Sequence, residues 1–194
     1  MHDIEPFFRW RDTYTAETDR QSPFYGRTYS EFRFTHRLYN FYLHPQWDEF
    51  GSSTLYGKLL YTDYEEQCAL IELIGEWNDA LHNDVMYLKR NLVDPLMKEG
   101  VYKFVFFCEH VLNFHAAMED DYYAEWYEET RDEDGWIVLV NTRQHVMEEM
   151  YEGNMDRYVL LGPEYNDLKW QTQRPLVVYQ LVNEMVNGRI KRLD

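Results

Sequence analysis

Cysteine and basic residues are both scarce in this chain of 194 residues. The two cysteines, Cys68 and Cys108, fall within apolar runs that we predict to be strands, so we expect two buried thiols in a reducing compartment rather than a disulfide. Lysine and arginine number 19 against 35 aspartates and glutamates, a formal net charge of −16. Nucleic-acid binding needs clustered basic residues that displace counterions from phosphates, and this composition argues against it.

The chain also lacks the patterns that direct secretion and membrane insertion. Its N-terminus has no basic segment followed by an apolar core, and no apolar run approaches the roughly 18 residues needed to span a bilayer. We therefore expect a soluble, cytoplasmic protein with no membrane span.

Short motifs that carry common enzyme chemistry are missing as well. The nucleophile-elbow motif Gly-x-Ser-x-Gly, the phosphate-binding loop and the glycine fingerprint of dinucleotide-binding folds do not occur. We predict no catalytic residue, no metal and no cofactor, and hence a protein that is not an enzyme.

Aromatic residues, in contrast, are abundant. They make up 18% of the chain, and 14 of the 34 lie in the first 54 residues, where no helical pattern of useful length occurs. Burying each of these side chains contributes a few kcal/mol, so they are not expected to stay in water. We predict that residues 1–53 form an aromatic-rich extension of strands and irregular structure, packed on a main domain of residues 54–194. Burial of the same aromatics across a two-fold homodimer is left open.

The main domain alternates apolar runs with helical patterns. Five runs predict strands, at residues 54–62, 68–77, 101–108, 136–140 and 158–161. The short link at 63–67 joins antiparallel neighbours, whereas later connections are long enough for crossover helices. The run at 101–108 is almost continuously apolar, as in a strand buried on both faces. The predicted fold class is therefore α/β, with a mixed sheet of four to five strands.

Helical patterns occupy the connections. The first helix is expected to begin near Asn78 or Asn83, to bury a stripe that includes Leu81, and to end at Gly100. The others are predicted at residues 120–131, after a cap at Thr142, and from about 172–175 to Gly188.

The order of these elements over residues 54 to about 187 resembles a STAS domain, the fold of the bacterial anti-sigma-factor antagonists. Ile71–Asn78 is similar to the apolar strand of that family, which ends in Gly-Glu-hydrophobic-Asp. Residues 88–107 resemble its first helix and central strand, and Leu112–His115 matches the approach to its switch loop. The resemblance implies a non-enzymatic, STAS-like regulatory module that binds a protein partner.

The switch motif of that family, Asp-Ser-Ser/Thr-Gly, is replaced here by His115-Ala116-Ala117-Met118. No acceptor hydroxyl remains, so the loop is not expected to be phosphorylated. We predict that this degenerate loop is instead a docking surface. Its residues are Asn113, His115, Ala116, Ala117, Met118, Glu119 and Asp120.

Two other functions stay open on the sequence. One is a small-molecule or lipid-binding protein, in which the aromatics of the extension and the sheet enclose an apolar cavity. The other is an enzyme or metal site that uses Glu109, His110 and His115, near the end of the central strand where α/β sheets place ligands. Adjacent strand residues point to opposite faces, so Glu109 and His110 can share a ligand only if the strand has already ended. We therefore favour a structural role for them.

Trp77, Asn78 and Asp79 are the remaining polar-site candidates. They follow a predicted strand and can line a polar pocket. The simpler interpretation is that they end the strand and cap the next helix.

Overall fold

The computed structural model describes residues 4–30, 32–118 and 121–193, and side chains up to residue 188. Its strands form a small hairpin and one four-stranded sheet. In chain order they are β1 (Arg37–Leu38), β2 (Phe41–Tyr42), β3 (Leu55–Asp63), β4 (Cys68–Asn78), β5 (Lys103–His115) and β6 (Trp136–Val140). The sheet order is β3-β4-β5-β6, antiparallel between β3 and β4 and parallel elsewhere. The mixed α/β fold and its initial hairpin are thus confirmed.

β4 and β5 occupy the middle of the sheet. Every residue of β4 is buried, and Phe104–Cys108 of β5 are fully enclosed. Such nearly continuous apolar sequences are typical of strands covered on both faces. Cys68 and Cys108 are free and buried, as predicted.

The connection between β4 and β5 is broken into short segments rather than one helix. Its segments are α1 (Asp79–His82), α2 (Asp84–Leu88), a π-helical turn (Lys89–Val93) and α3 (Asp94–Lys98). Asn83, with a φ of 53°, separates α1 from α2. This break turns Leu81 out of the predicted stripe, and its side chain is 81% exposed. The π-helical turn ends two residues before Pro95, which lies in the first turn of α3 and has no N–H to donate.

Three longer helices follow: α4 (Asp121–Asp132), α5 (Gln144–Glu152) and α6 (Pro175–Leu193). Segments α2 to α5 cover one face of the sheet, and α6 covers the other. Among the described helices, none combines the length and apolar character required to cross a membrane.

Three further details differ from the sequence-based predictions. The expected strand at 158–161 is reduced to a single parallel bridge between Leu160 and Val138. Thr142 does not cap α5, because the residue at the cap position is Arg143. Helix α6 continues past Gly188, since one glycine in a helix costs only about 1 kcal/mol relative to alanine.

Residues of the extension contact both faces of the sheet. Ala16, Phe24 and Phe50 join the core beneath α2 to α5, and Trp10 joins the core beneath α6. The division of the chain at residue 53 stays a prediction.

Candidate functional site

Strand β5 is longer than predicted and contains two irregularities. It runs to His115 rather than ending at Cys108. While β4 advances two residues from Glu72 to Ile74, its partner positions on β5 advance three, from Phe107 to His110. A second shift of the same kind lies between Gly75 and Trp77. Each β-bulge places two consecutive residues of β5 opposite one residue of β4.

The first bulge brings Glu109 and His110 together. Both side chains approach Glu72 of β4, and one ligand atom from each of the three residues lies within 4.8 Å of the others. The expectation that Glu109 and His110 cannot share a ligand within a strand is therefore wrong. Simple alternation of side chains fails at a bulge.

Glu72 is a buried carboxyl group, only 3% exposed. Its Oε2 accepts the backbone N–H of Phe7 at 2.8 Å, and its Oε1 lies 3.7 Å from Nε2 of His110. The pKa of Glu72 is raised to about 8, because burial outweighs the lowering effect of the Phe7 hydrogen bond and the charge of Glu109 adds to the increase.

Glu109 is held by one of its two oxygens. Oε1 accepts hydrogen bonds from Asn141 at 2.6 Å, Trp170 at 2.8 Å and Gln171 at 3.2 Å. Oε2 is buried and, among the described residues, has no hydrogen-bond partner. The carboxylate is thus fixed in orientation, with one oxygen left unsatisfied.

His110 completes the cluster, with 29% of its side chain exposed against 4% for Glu72. Burial lowers its pKa, and the charge of Arg143 lowers it further while that of Glu109 opposes this. The neutral ring has a lone pair available for a metal ion.

His115 does not join this cluster, contrary to the grouping considered from the sequence. It pairs in register with Asn78, at the carboxyl ends of β5 and β4. The side chain of Asn78 accepts the N–H of Leu81 at 3.0 Å and so caps α1.

Asp79 and Trp77 also have structural environments. Asp79 accepts the N–H of Val85 at 2.7 Å and the hydroxyl of Tyr123. Burial raises the pKa of Asp79 to about 6. Trp77 is 1% exposed and packs against Phe114 and Tyr123.

The predicted docking loop is partly strand. Asn113 lies in β5 and donates to Oε1 of Glu76 at 2.9 Å. His115, Ala116 and Met118 are exposed, and Ala117 is half-buried. Glu119 and Asp120 lie outside the described residues.

Neither a role for Glu72 nor the exposure of Leu81 is predicted from the sequence. Glu72 lies in the apolar run Ala69–Ile74, and a lone carboxylate in an otherwise apolar strand is the signal that identifies such a residue. For Leu81 the pattern was misleading, because its spacing fits the stripe that α2 and α3 bury.

No protein-family model matches the chain, and no curated protein is similar to it. One similar solved structure is a Thermotoga maritima protein proposed to be an anti-sigma factor antagonist, at 15% identity and a TM-score of 0.36. The match covers 53% of this chain and 83% of the other.

Proposed function

We propose that this chain is a non-enzymatic, STAS-like protein-interaction and regulatory module, which docks a protein partner at the carboxyl edge of its sheet. The observation that supports this proposal is the exposure of two apolar side chains there. Leu81 is 81% exposed and Met118 is fully exposed.

These two residues follow the ends of neighbouring strands. Asn78 of β4 and His115 of β5 are register partners, and Leu81 and Met118 each lie three residues further along the chain. Helix α1 also lies against β5. Single exposed leucines are common on protein surfaces, but two large apolar side chains at adjoining strand ends favour a contact surface.

The composition of this edge differs from that of the whole chain. Residues 80–82 and 115–118 include no aspartate, glutamate, lysine or arginine, although the chain has a net charge of −16. Flexible methionine side chains suit surfaces that adapt to a partner. We expect a partner that inserts an apolar side chain here and carries basic groups around it, which face the acidic remainder of the chain.

The alternative function, a small-molecule or lipid carrier, needs a cavity between the extension and the sheet. The cleft lined by Phe7, Trp10, Tyr14 and Leu60 has a volume of about 10 Å³. That is room for about one water molecule. A larger open cleft of about 620 Å³ lies within the extension, but polar and charged side chains such as Arg27, Arg33 and Glu49 line it, so the docking function is better supported.

Photo-crosslinking in the cells that make the protein tests this proposal. A photoreactive phenylalanine analogue replaces Met118 in the full chain, and a control chain carries it at Glu133, an exposed residue of the α4–β6 turn. We expect a discrete adduct from position 118 that position 133 does not give. After the partner is identified by mass spectrometry, Leu81→Asp should weaken its binding at least about tenfold, whereas Leu81→Met should not.

Leu81 is exposed, so neither variant should change the melting temperature by more than a degree or two. An adduct of twice the chain mass would identify the partner as a second copy and the module as a homodimer. The proposal is refuted if both positions give the same adducts, if neither gives one, or if Leu81→Asp binds like the unchanged chain.

A further inference from the structure

The cluster formed by Glu72, Glu109 and His110 lies apart from the docking edge and has no role in the function proposed above. Its three side chains belong to two neighbouring strands, and the bulge in β5 directs them to one point. We propose that these three residues form a binding site for a divalent first-row transition-metal ion, with Zn²⁺ as the reference ion.

The geometry is close to that of an occupied site. Zn²⁺ binds carboxylate oxygen and imidazole nitrogen at about 2.0–2.2 Å, so two ligands of one ion lie up to roughly 4 Å apart. The ligand atoms here lie within 4.8 Å of one another. Small side-chain rotations are enough to bring them onto a common ion.

One buried carboxylate oxygen lacks the partner that such a site supplies. Oε1 of Glu72 lies 3.7 Å from Nε2 of His110, so these two groups already face each other. Oε2 of Glu109 is buried with no hydrogen-bond partner among the described residues. Buried carboxylate oxygens are normally hydrogen-bonded, ion-paired or bound to a metal.

Nearby basic side chains do not neutralise the carboxylates of Glu72 and Glu109. Lys58 is the cross-strand neighbour of Glu72, but its ammonium group lies 3.2 Å from Asp48 and 3.8 Å from Glu17. Arg143 donates its Nε–H to the backbone carbonyl of Glu109 rather than to a carboxylate. No ion pair with lysine or arginine is recorded for Glu72 or Glu109 in the part of the chain that the structure describes.

Hydrogen bonds from surrounding groups already orient the carboxylates of Glu72 and Glu109. Asn141, Trp170 and Gln171 hold one oxygen of Glu109, and the Phe7 N–H holds one oxygen of Glu72. In each case the other oxygen is left for the ion. Metal-binding carboxylates are typically supported in this way by groups around them.

The donor set indicates the class of ion. Two carboxylates and one imidazole suit zinc, manganese, iron or cobalt, whereas calcium and magnesium prefer oxygen alone. Three protein ligands leave a further position for water or for a donor from another molecule. An open cleft of about 400 Å³ lies beside Glu109 and is lined by Asn141, Asp167 and Lys169 among others.

Isothermal titration of the chelator-treated full chain with Zn²⁺ tests the site. We expect one tight ion per chain, and Co²⁺ at the same site should show visible d–d absorption that Zn²⁺ displaces. Glu72→Gln keeps the shape of the side chain and an oxygen for the Phe7 N–H, so it should fold normally. It should nevertheless lose at least about tenfold in affinity, as should His110→Ala.

His145→Ala is the matched control, because His145 is exposed and bonds the backbone of Leu112 away from the cluster. It should bind Zn²⁺ like the unchanged chain. At the same Zn²⁺ concentration, metal binding should also raise the melting temperature of the unchanged chain and of His145→Ala, and that of Glu72→Gln by less.

The site is refuted if no stoichiometric binding is found. It is equally refuted if Glu72→Gln and His110→Ala bind as the unchanged chain does, which would indicate weak binding by surface acids. Neither result bears on docking, since Leu81 and Met118 are not involved.

Discussion

Replacing Trp10 by alanine tests whether the N-terminal extension is part of the main core. Trp10 is 5% exposed and lies against α6 and the sheet, which are formed by residues far from it in the sequence. Its ring makes edge contacts with Phe7, Phe107 and Trp170, and its Nε1–H donates to the carbonyl of Gln173 at 2.8 Å.

The expected loss follows from the buried surface. An aromatic side chain buries about 150–250 Å². At roughly 25 cal/mol per Å² this corresponds to about 4–6 kcal/mol as an upper bound. Substitutions of buried tryptophan by alanine typically cost about 3–5 kcal/mol. The lost hydrogen bond adds little, because Gln173 is exposed and its carbonyl can bond water. We therefore expect Trp10→Ala to lower the free energy of unfolding by about 3–5 kcal/mol, a large part of the roughly 5–15 kcal/mol of a typical domain.

Urea denaturation followed by far-UV circular dichroism measures this loss as a lower midpoint at an unchanged slope. Phe8→Ala is the control: Phe8 is a neighbouring aromatic that is 54% exposed, and its loss should change stability by no more than about 0.5 kcal/mol. If Trp10→Ala unfolds at the same urea concentration as the unchanged chain, the extension does not stabilise the core and the reasoning is wrong.

Four further predictions concern other parts of the molecule. Deleting residues 1–54 should expose apolar surface and cause aggregation or a large drop in melting temperature, and a soluble truncated chain with the original melting temperature would contradict this. Mass spectrometry of the protein from its own cells should find no phosphate on residues 113–121, which contain no serine, threonine or tyrosine. If the chain forms a homodimer, light scattering should show that the dimer fraction increases with added salt, because salt screens the net charge of −16 on each chain. A monomer at both low and moderate salt would exclude the homodimer. Because its pKa is raised, Asp79 holds its proton more tightly in the folded state than in the unfolded chain, so its contribution to stability should fall as pH rises from about 3.8 to about 6. Asp79→Asn should remove this pH dependence. If the variant and the unchanged chain show the same profile of urea midpoint against pH, the contribution of Asp79 is excluded.

The sequence by itself determined the class of fold and much of its order. Continuous apolar residues at 101–108 identified a strand buried on both faces, and the short link at 63–67 required an antiparallel hairpin. The two cysteines were correctly expected to be free and buried. These features follow from local chemistry, since periodicity and link length are properties of neighbouring residues.

Tertiary structure decided which side chains meet. Glu72 and Glu109 are far apart in the chain, and their approach depends on a bulge in the register between β4 and β5. No local pattern encodes that register shift, because alternation predicts opposite faces for Glu109 and His110. The exposure of Leu81 likewise depends on the left-handed backbone at Asn83, which separates α1 from the packed helices that follow. Both candidate sites therefore depend on how segments distant in the sequence pack together, and on where a helix is broken. The strands and helices that carry these sites are predicted by local sequence patterns.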